Sequence, residues 1–201
     1  MKISESMDQA RAAGTGGPAV ECDARCVGIV IAVPEPMAGE LRAARASFGD
    51  PMAAVIPAHI TLVTTTETSD WDATLRHVRE VAAAQEPFRV TLQGTSSFRP
   101  VSPVVYLNVA EGFDECIGLH KEFQSGPLAR DLPFPFHPHV TVAHDVSEQS
   151  MDEAVRQLGG YSASFTVDRV GLYEHDAAGL WKLHEHVQLG GGAAAGRATP
   201  A

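Results

Sequence analysis

Basic residues are scarce in this sequence. Its 15 Lys and Arg stand against 25 Asp and Glu, which gives a formal net charge of −10. Proteins that bind long duplex nucleic acid neutralise its phosphates with Lys and Arg, so this composition excludes holding duplex DNA by bulk attraction. A phosphate-bearing partner must therefore be small or must meet a locally positive site.

Cysteines and long apolar runs are also scarce. The 201 residues include only three cysteines, too few for a disulfide framework, and the spacing of Cys22, Cys26 and Cys116 completes no zinc site. We expect free thiols. No apolar run is long enough to cross a bilayer, and the N-terminus lacks the apolar stretch of a signal peptide. The sequence therefore predicts a soluble, cytoplasmic monomer with no membrane partner.

One four-residue pattern occurs twice in the chain. Residues 59–62 read His-Ile-Thr-Leu, and residues 139–142 read His-Val-Thr-Val. Of the nine histidines, only His59 and His139 have a hydroxyl residue two places on. Because side chains alternate along a strand, each pattern predicts a strand with apolar residues in the core and His and Thr on the opposite face. Two such strands, brought face to face, would surround one small cleft with two titratable bases and two hydroxyl donors.

Hydrophobic periodicity places the two patterns at equivalent points of a repeat. Each half of the sequence reads strand, helix, His-x-Thr strand, helix, strand. Two helices are predicted to start at capping boxes, Ser69 with Asp72 and Ser150 with Glu153. Strands are predicted over 26–33, 58–65, 88–92, 104–109 and the second motif, with a terminal hairpin of 163–174 and 180–189 that turns at 177–179. The repeat predicts an α+β, internally duplicated fold with two lobes, in which two mostly antiparallel sheets flank a central cleft and helices lie outside.

The ends of the sequence are Gly/Ala-rich and aperiodic. We expect disordered tails over 1–24 and 190–201. Between them we expect one domain, 25–189, with lobes of about 25–95 and 100–189. Exchange of terminal strands between the lobes is left open.

The paired motifs resemble those of the 2H phosphoesterase superfamily, and the closest branch looks like the 2'-5' RNA ligase / RNA 2',3'-cyclic phosphodiesterase proteins. The resemblance covers residues 26–189, including the terminal hairpin. It implies hydrolysis of 2',3'-cyclic phosphate ends of RNA or nucleotides without a metal or other cofactor. It also implies that the same site could carry out 2'-5' RNA ligation. One departure is that many members of this branch follow the second motif with Ala-Arg, where this chain has Ala143-His144.

The side chains of the motifs suit this chemistry. An unperturbed imidazole titrates near pH ~6.5, so His59 and His139 can share the roles of base and acid at neutral pH. Thr61 and Thr141 would donate hydrogen bonds to the non-bridging phosphate oxygens, where charge grows in the transition state. The sequence does not assign which histidine is the base and which the acid.

Further residues are candidates for substrate contacts: Arg99, Phe134, Phe136, His137, His144 and Tyr173. Arg99 lies in an otherwise uncharged stretch and could contact a phosphate or a base. The aromatic residues could stack on a base, and the Phe residues could equally cover the core. Strict alternation from His139 puts His144 on the opposite face of the strand, which weakens it as a substitute for an arginine.

Two alternatives remain open from the sequence. A catalytically idle module of the same fold could bind RNA ends or a nucleotide, although such a module has no need of two bases. A metal-dependent hydrolase could use His137, His139, His144 and Asp145 as ligands.

Overall fold

The computed structural model describes residues 25–175 and 181–190. The strands are β1 (Cys26–Ala32), β2 (His59–Glu67), β3 (Phe88–Ser97), β4 (Val104–Glu111), β5 (His139–His144), β6 (Ser162–Val167), β7 (Arg169–His175) and β8 (Trp181–Gln188). The helices are α1 (Met37–Ser47), α2 (Trp71–Ala84), α3 (Phe113–Phe123) and α4 (Glu148–Leu158), with a 3₁₀ turn at Gly126–Leu128. The predicted tails, 1–24 and 190–201, lie outside the described residues apart from Gly190, as does the predicted hairpin turn at 177–179.

The strands form one antiparallel sheet in the order β6-β3-β4-β5-β2-β1-β7-β8. The predicted α+β class is confirmed, but the prediction of two separate sheets needs correction. The two strands that carry the motifs, β2 and β5, pair with each other at Ile60 and Val140. This single pair joins two four-stranded groups into one eight-stranded sheet, with the two motifs at its centre.

Each four-stranded group mixes strands from both halves of the sequence. β3 pairs with β4 and β6, and β7 pairs with β1 and β8. The helices cross in the same way, because α1 contacts β5 and α3 contacts β2. The first helix of each series therefore packs on the motif strand of the other, which holds the two motif strands side by side. The lobe boundaries near residues 95 and 100 stay a prediction.

The apolar residues of the two motifs anchor the central strands in the core. Ile60, Leu62, Val140 and Val142 are each at most 1% exposed. Burying a side chain of this size stabilises the fold by about 1.5–3 kcal/mol relative to leaving it in water. A shift of one residue in either strand would turn these side chains towards solvent, so their burial fixes which face His and Thr occupy.

Two helices begin at caps other than those the capping boxes predicted. The Asp70 carboxylate accepts a hydrogen bond of 2.9 Å from the Ala73 backbone N–H and caps α2, one residue after the predicted cap Ser69. Ser147 caps α4 by accepting one of 3.1 Å from the Ser150 N–H, so the predicted cap Ser150 lies inside the helix. Both observed caps have the extended backbone angles typical of an N-cap.

The cysteines do not all behave as expected. Cys116 is a free, buried thiol, as predicted, and burial raises its pKa to about 12. Cys26, in contrast, is disulfide-bonded, so the prediction of a free thiol is wrong there. Among the described residues, no helix has the length and apolar character that crossing a membrane requires.

Candidate active site

The register of β2 and β5 brings the four motif side chains together on one face. Ile60 pairs with Val140 in an antiparallel arrangement. His59 therefore lies across from Thr141, and Thr61 lies across from His139, in a two-by-two array. Directly opposite residues of an antiparallel pair have Cα atoms roughly 4.5–5.5 Å apart. All four side chains are partly exposed, whereas the apolar residues between them are buried. The structure thus places two imidazoles and two hydroxyls around one small patch.

Each motif histidine is oriented by the same local hydrogen bond. His59 Nδ1 lies 2.8 Å from the Pro57 carbonyl oxygen, and His139 Nδ1 lies 2.7 Å from the His137 carbonyl oxygen. A carbonyl oxygen can only accept, so Nδ1 must carry the proton in both rings. Nε2 is then the unprotonated nitrogen of each neutral imidazole. Both histidines therefore present the nitrogen that can take a proton.

Aromatic rings surround His139. Its ring centroid lies 5.0 Å from that of Phe98 in an edge-to-face contact and 5.1 Å from that of Tyr106. Burial among these rings lowers the pKa of His139 to about 4, with smaller contributions of the same sign from His137 and His59. The hydrogen bond to the His137 carbonyl acts in the opposite direction. His139 is therefore neutral at pH 7 in the free protein.

A buried ion pair lies close to His59. Arg45 of α1 is 5% exposed, and its Nε donates to Asp50 Oδ2 at 2.8 Å. Burial lowers the pKa of His59, the charge of Arg45 lowers it further, and the hydrogen bond to the Pro57 carbonyl opposes both. Arg45 also donates to the Ile56 carbonyl oxygen at 2.6 Å, which ties α1 to the segment that leads into β2.

The two hydroxyls of the array are available to a ligand. The hydroxyl of Thr66, on the same strand as Thr61, donates a hydrogen bond to the Thr64 carbonyl oxygen. Neither Thr61 nor Thr141 has such a bond to a described residue. Both hydroxyls can therefore donate to a phosphate oxygen placed over the array.

A β-bulge changes the expected position of His144. Between the pair of Tyr106 with Thr141 and the pair of Val105 with Ala143, β5 carries one extra residue. One extra residue reverses the alternation of side chains beyond it, so His144 lies on the same face as Thr141. The prediction from strict alternation, that His144 lies on the face opposite to His139, is therefore wrong. His144 is 9% exposed, and its Nδ1 lies 3.2 Å from Asp145 Oδ2.

Arg99 lies near the site, but its charge is already paired. Its guanidinium contacts Glu148 Oε2 at 2.7 Å and Asp152 Oδ1 at 2.9 Å, both on α4. The hydrogen bonds to these carboxylates raise the pKa of Arg99. Its side chain holds the turn after β3, next to Phe98, against α4. A role in substrate binding stays a prediction.

The loop before β5 carries three of the candidates. His137 packs edge-to-face against Phe98, at 5.8 Å between centroids, and so lies beside His139. Phe136 stacks on His120 at 3.8 Å and packs against the core. Phe134 is 53% exposed. The structure therefore brings His137 to the array, uses Phe136 for packing and leaves Phe134 at the surface.

Sequence reasoning missed the ring of Tyr106 altogether. Tyr106 pairs with Thr141 and is 6% exposed, and its ring lies against His139. Because Tyr106 lies in an apolar run, 104–107, the sequence indicates only a buried strand at this position. The signal that could have found it is its place in the repeat, because Tyr106 on β4 corresponds to Val30 on β1, which pairs with Thr61.

The metal-dependent alternative requires a ligand cluster. The described residues contain no group of three or more His, Cys, Asp or Glu that could hold a metal ion. His137, His139, His144 and Asp145 therefore do not form the ligand set that this alternative predicted.

Known proteins resemble this chain in sequence and in fold. The model of the 2'-5' RNA ligase superfamily matches residues 33–179. A Bacillus licheniformis protein, provisionally named a phosphoesterase, is 34% identical over 145 residues, which cover 70% of this chain and 85% of that protein. The crystal structure of TT0787 from Thermus thermophilus superimposes with a TM-score of 0.59 at 20% identity, over 83% of this chain and 98% of that one.

A second solved structure is that of E. coli LigT complexed with NADP+. It superimposes with a TM-score of 0.57 at 21% identity, over 83% of this chain and 98% of that one. The same protein has also been solved with 3'-AMP. The fold and the family match define a 2H phosphoesterase-type enzyme. The chain belongs to the 2'-5' RNA ligase superfamily.

Proposed function

We propose that this protein hydrolyses 2',3'-cyclic phosphate ends of RNA or nucleotides by general acid–base catalysis with His59 and His139. The observation that carries the proposal is the antiparallel pair of Ile60 with Val140, which sets both imidazoles and both threonines on one face. The hydrogen bonds of both Nδ1 atoms support it, because they leave the two Nε2 atoms for proton transfer. Nucleotides bound to a protein of the same fold, E. coli LigT, are consistent with a nucleotide substrate.

The reaction needs one neutral and one protonated imidazole. One Nε2 takes a proton from water as the water oxygen bonds to phosphorus. The bond from phosphorus to one ribose oxygen breaks, and the other imidazolium protonates that oxygen. The product is a phosphomonoester on the remaining ribose oxygen. Thr61 and Thr141 hydrogen-bond to the non-bridging oxygens as their negative charge grows. With a 5'-hydroxyl in place of water, the same steps join it to the phosphorus. The bond from phosphorus to the 3' oxygen breaks, that oxygen is protonated, and a 2'-5' linkage remains.

A direct assay tests this proposal and separates it from both alternatives. Adenosine 2',3'-cyclic phosphate is incubated with the protein in EDTA, and the product is followed by chromatography. We expect conversion to adenosine monophosphate at a rate unchanged by EDTA, since neither imidazole acts through a metal. Binding without turnover would favour the idle module. Loss of turnover in EDTA, restored by added divalent metal, would favour the metal-dependent hydrolase.

The pKa shifts predict an acidic pH optimum. Catalysis needs one histidine neutral and the other protonated, whichever acts as the base. In the free protein the pKa of His139 is about 4, and that of His59 lies below its ordinary value. We therefore expect a bell-shaped profile of kcat/KM with both limbs below pH ~6.5, the ordinary pKa of histidine. The profile of kcat should lie at higher pH, since a bound phosphate anion favours the imidazolium.

The fold must be monitored across the same pH range. A depressed folded-state pKa means that the unfolded chain binds protons before the folded chain does, so stability falls as pH drops from ~6.5 towards the folded pKa. Circular dichroism at each pH would separate unfolding from titration of the site. An optimum of kcat/KM above pH ~7.5, a full unit beyond the ordinary pKa of histidine, would contradict the predicted shifts if the fold is intact.

A further inference from the structure

The two sides of the array differ in how they are filled. On the β5 side, the rings of Phe98 and Tyr106 pack against His139 and occupy the space above β4. On the β2 side, the residue that pairs with Thr61 is Val30, an aliphatic side chain that is partly exposed. Next to the array, the β2 side therefore presents a smaller side chain than the β5 side does.

Two glycines, Gly28 and Gly171, lie next to Val30 on this face of the sheet. Val30 pairs with Gly171 of β7, and Gly28, two residues before Val30, pairs with Tyr173. Directly opposite residues share a face, as do residues two apart in a regular strand. Gly28, Gly171 and Tyr173 therefore lie on the same face as Thr61. On this face, β1 and β7 thus each have a residue next to Val30 that lacks a side chain.

Aromatic rings occupy the space above these glycines. A Cβ atom on Gly171 would lie 2.8 Å from Cε2 of Tyr173, and one on Gly28 would lie 3.0 Å from Cζ3 of Trp181. The glycines are therefore what allows the two rings to lie close to the sheet. Leu183 pairs with Tyr173 and completes the group. We call Tyr173, Trp181 and Leu183 the aromatic platform.

The platform is exposed although it is apolar. Leu183 is 44% exposed, and Trp181 is still 39% exposed although its ring contacts that of His175 at 5.0 Å between centroids. Adjacent exposed apolar side chains beside a polar cleft are typical of a binding surface. On the other side of the array, Phe98 and Tyr106 pack on His139, and Tyr106 is only 6% exposed. The platform therefore offers an exposed aromatic surface to a ligand on the β2 side of the array.

We propose that a nucleobase of the substrate stacks on the aromatic platform, which places the nucleoside over β1 and β7. This proposal rests on the proposed function and identifies the part of the substrate that the protein recognises. Gly171 lies two strand spacings from Thr61, about 10 Å, which the nucleoside of a cyclic phosphate or the next nucleotide of an RNA end can bridge. Aromatic rings stack on any base, so the platform selects nucleotides without selecting a sequence.

Steady-state kinetics on one substrate that has a nucleobase and one that lacks it test the platform. Trp181→Ala and Tyr173→Ala are compared with the unaltered protein on adenylyl-adenosine 2',3'-cyclic phosphate and on a base-free cyclic phosphate, glycerol 1,2-cyclic phosphate. Stacking contributes ~1–3 kcal/mol per base, so we expect KM for the dinucleotide to rise about 5- to 150-fold. We expect kcat to change little, because the lost interaction is the same in the ground and transition states. Hydrolysis of the base-free substrate should be unchanged.

Three further variants serve as controls. Trp181→Phe keeps a ring and should keep most of the affinity. Val101→Ala shortens another exposed apolar residue, which is 76% exposed in the turn before β4, and should leave KM unchanged. Gly171→Ala retains both rings but forces Tyr173 to move, so it should raise KM for the dinucleotide alone.

Tryptophan fluorescence gives a readout that does not depend on turnover. The chain has two tryptophans, and Trp71 packs against the core beneath the Arg25 guanidinium, 3.9 Å from its ring centroid. In a Trp71→Phe background, where Trp181 is the only tryptophan, stacking should quench fluorescence as adenylyl-adenosine 2',3'-cyclic phosphate is added. In a Trp181→Phe background the same titration should give no quenching.

The outcomes separate this proposal from the proposed function. Quenching of Trp181 together with the selective rise in KM would support the platform. Normal turnover with no quenching, or with KM unchanged in the alanine variants, would overturn the platform and leave the proposed function standing. Quenching without turnover by the unaltered protein would support the platform as a base-binding surface and would contradict the proposed function.

Discussion

Replacing either motif histidine by alanine should nearly abolish hydrolysis of a 2',3'-cyclic phosphate. Acid–base participation contributes typically ~10²–10⁴-fold, so His59→Ala and His139→Ala should each lower kcat by a factor in that range. The double variant should lose little more than the worse single variant, because the two groups act in one concerted proton transfer. Initial rates with adenosine 2',3'-cyclic phosphate would measure these losses.

The matched control for this prediction is another histidine on the chain. His77 of α2 contacts the Phe123 carbonyl oxygen at 3.2 Å, away from the array, and His77→Ala should leave kcat unchanged. A substrate whose leaving group needs no proton, bis(p-nitrophenyl) phosphate, separates the two roles. The variant that lacks the acid should keep more of its rate on this substrate than the variant that lacks the base. Full activity in the double variant would end the proposal of acid–base catalysis.

Replacing the motif threonines by valine should have the second largest effect. Valine keeps the β-branched shape but removes the hydroxyl donor. The loss of one donor to a developing oxyanion typically costs roughly 10²–10³-fold in kcat, so Thr61→Val and Thr141→Val should each fall in or just below that range. KM should change less than kcat, because the charge on the non-bridging oxygens is greatest in the transition state.

Serine provides the matched comparison for each threonine. Thr61→Ser and Thr141→Ser keep the donor and lose only a methyl group, so most of the activity should return. Thermal unfolding of all four variants would show whether the strands remain intact. If the valine variants kept nearly full kcat, hydrogen bonding to the phosphate oxygens would have to come from other groups.

The sequence predicted the central part of this architecture for a physical reason. Buried Ile60, Leu62, Val140 and Val142 alternate with His and Thr, and that period of two is visible in the letters alone. The repeat of the pattern led to the α+β class and to the family, and both are confirmed. The catalytic roles of the four polar residues remain predictions, because a shared face of the sheet does not establish catalysis and only measured activity can.

Features that depend on contacts between distant segments could not be predicted in the same way. Strict alternation predicted the wrong face for His144. A bulge is defined by the pairing of two strands, so the sequence of β5 alone does not show that it carries an extra residue. The helix that contains Ser150 is capped by Ser147. Several nearby residues could cap it, and the backbone angles select one. The ion pairs of Arg99 depend on α4 lying beside the turn after β3.

The amino-acid sequence by itself determined that two strands would each bury an apolar face and present a histidine and a threonine on the other. Tertiary structure decided that these strands pair with each other at the centre of one sheet, that aromatic rings pack against His139, and that two glycines let other aromatic rings lie close to the sheet on the opposite side. The reason is that alternation is a local property of the chain, whereas register, desolvation and the packing of rings on a sheet arise only where segments far apart in sequence come into contact.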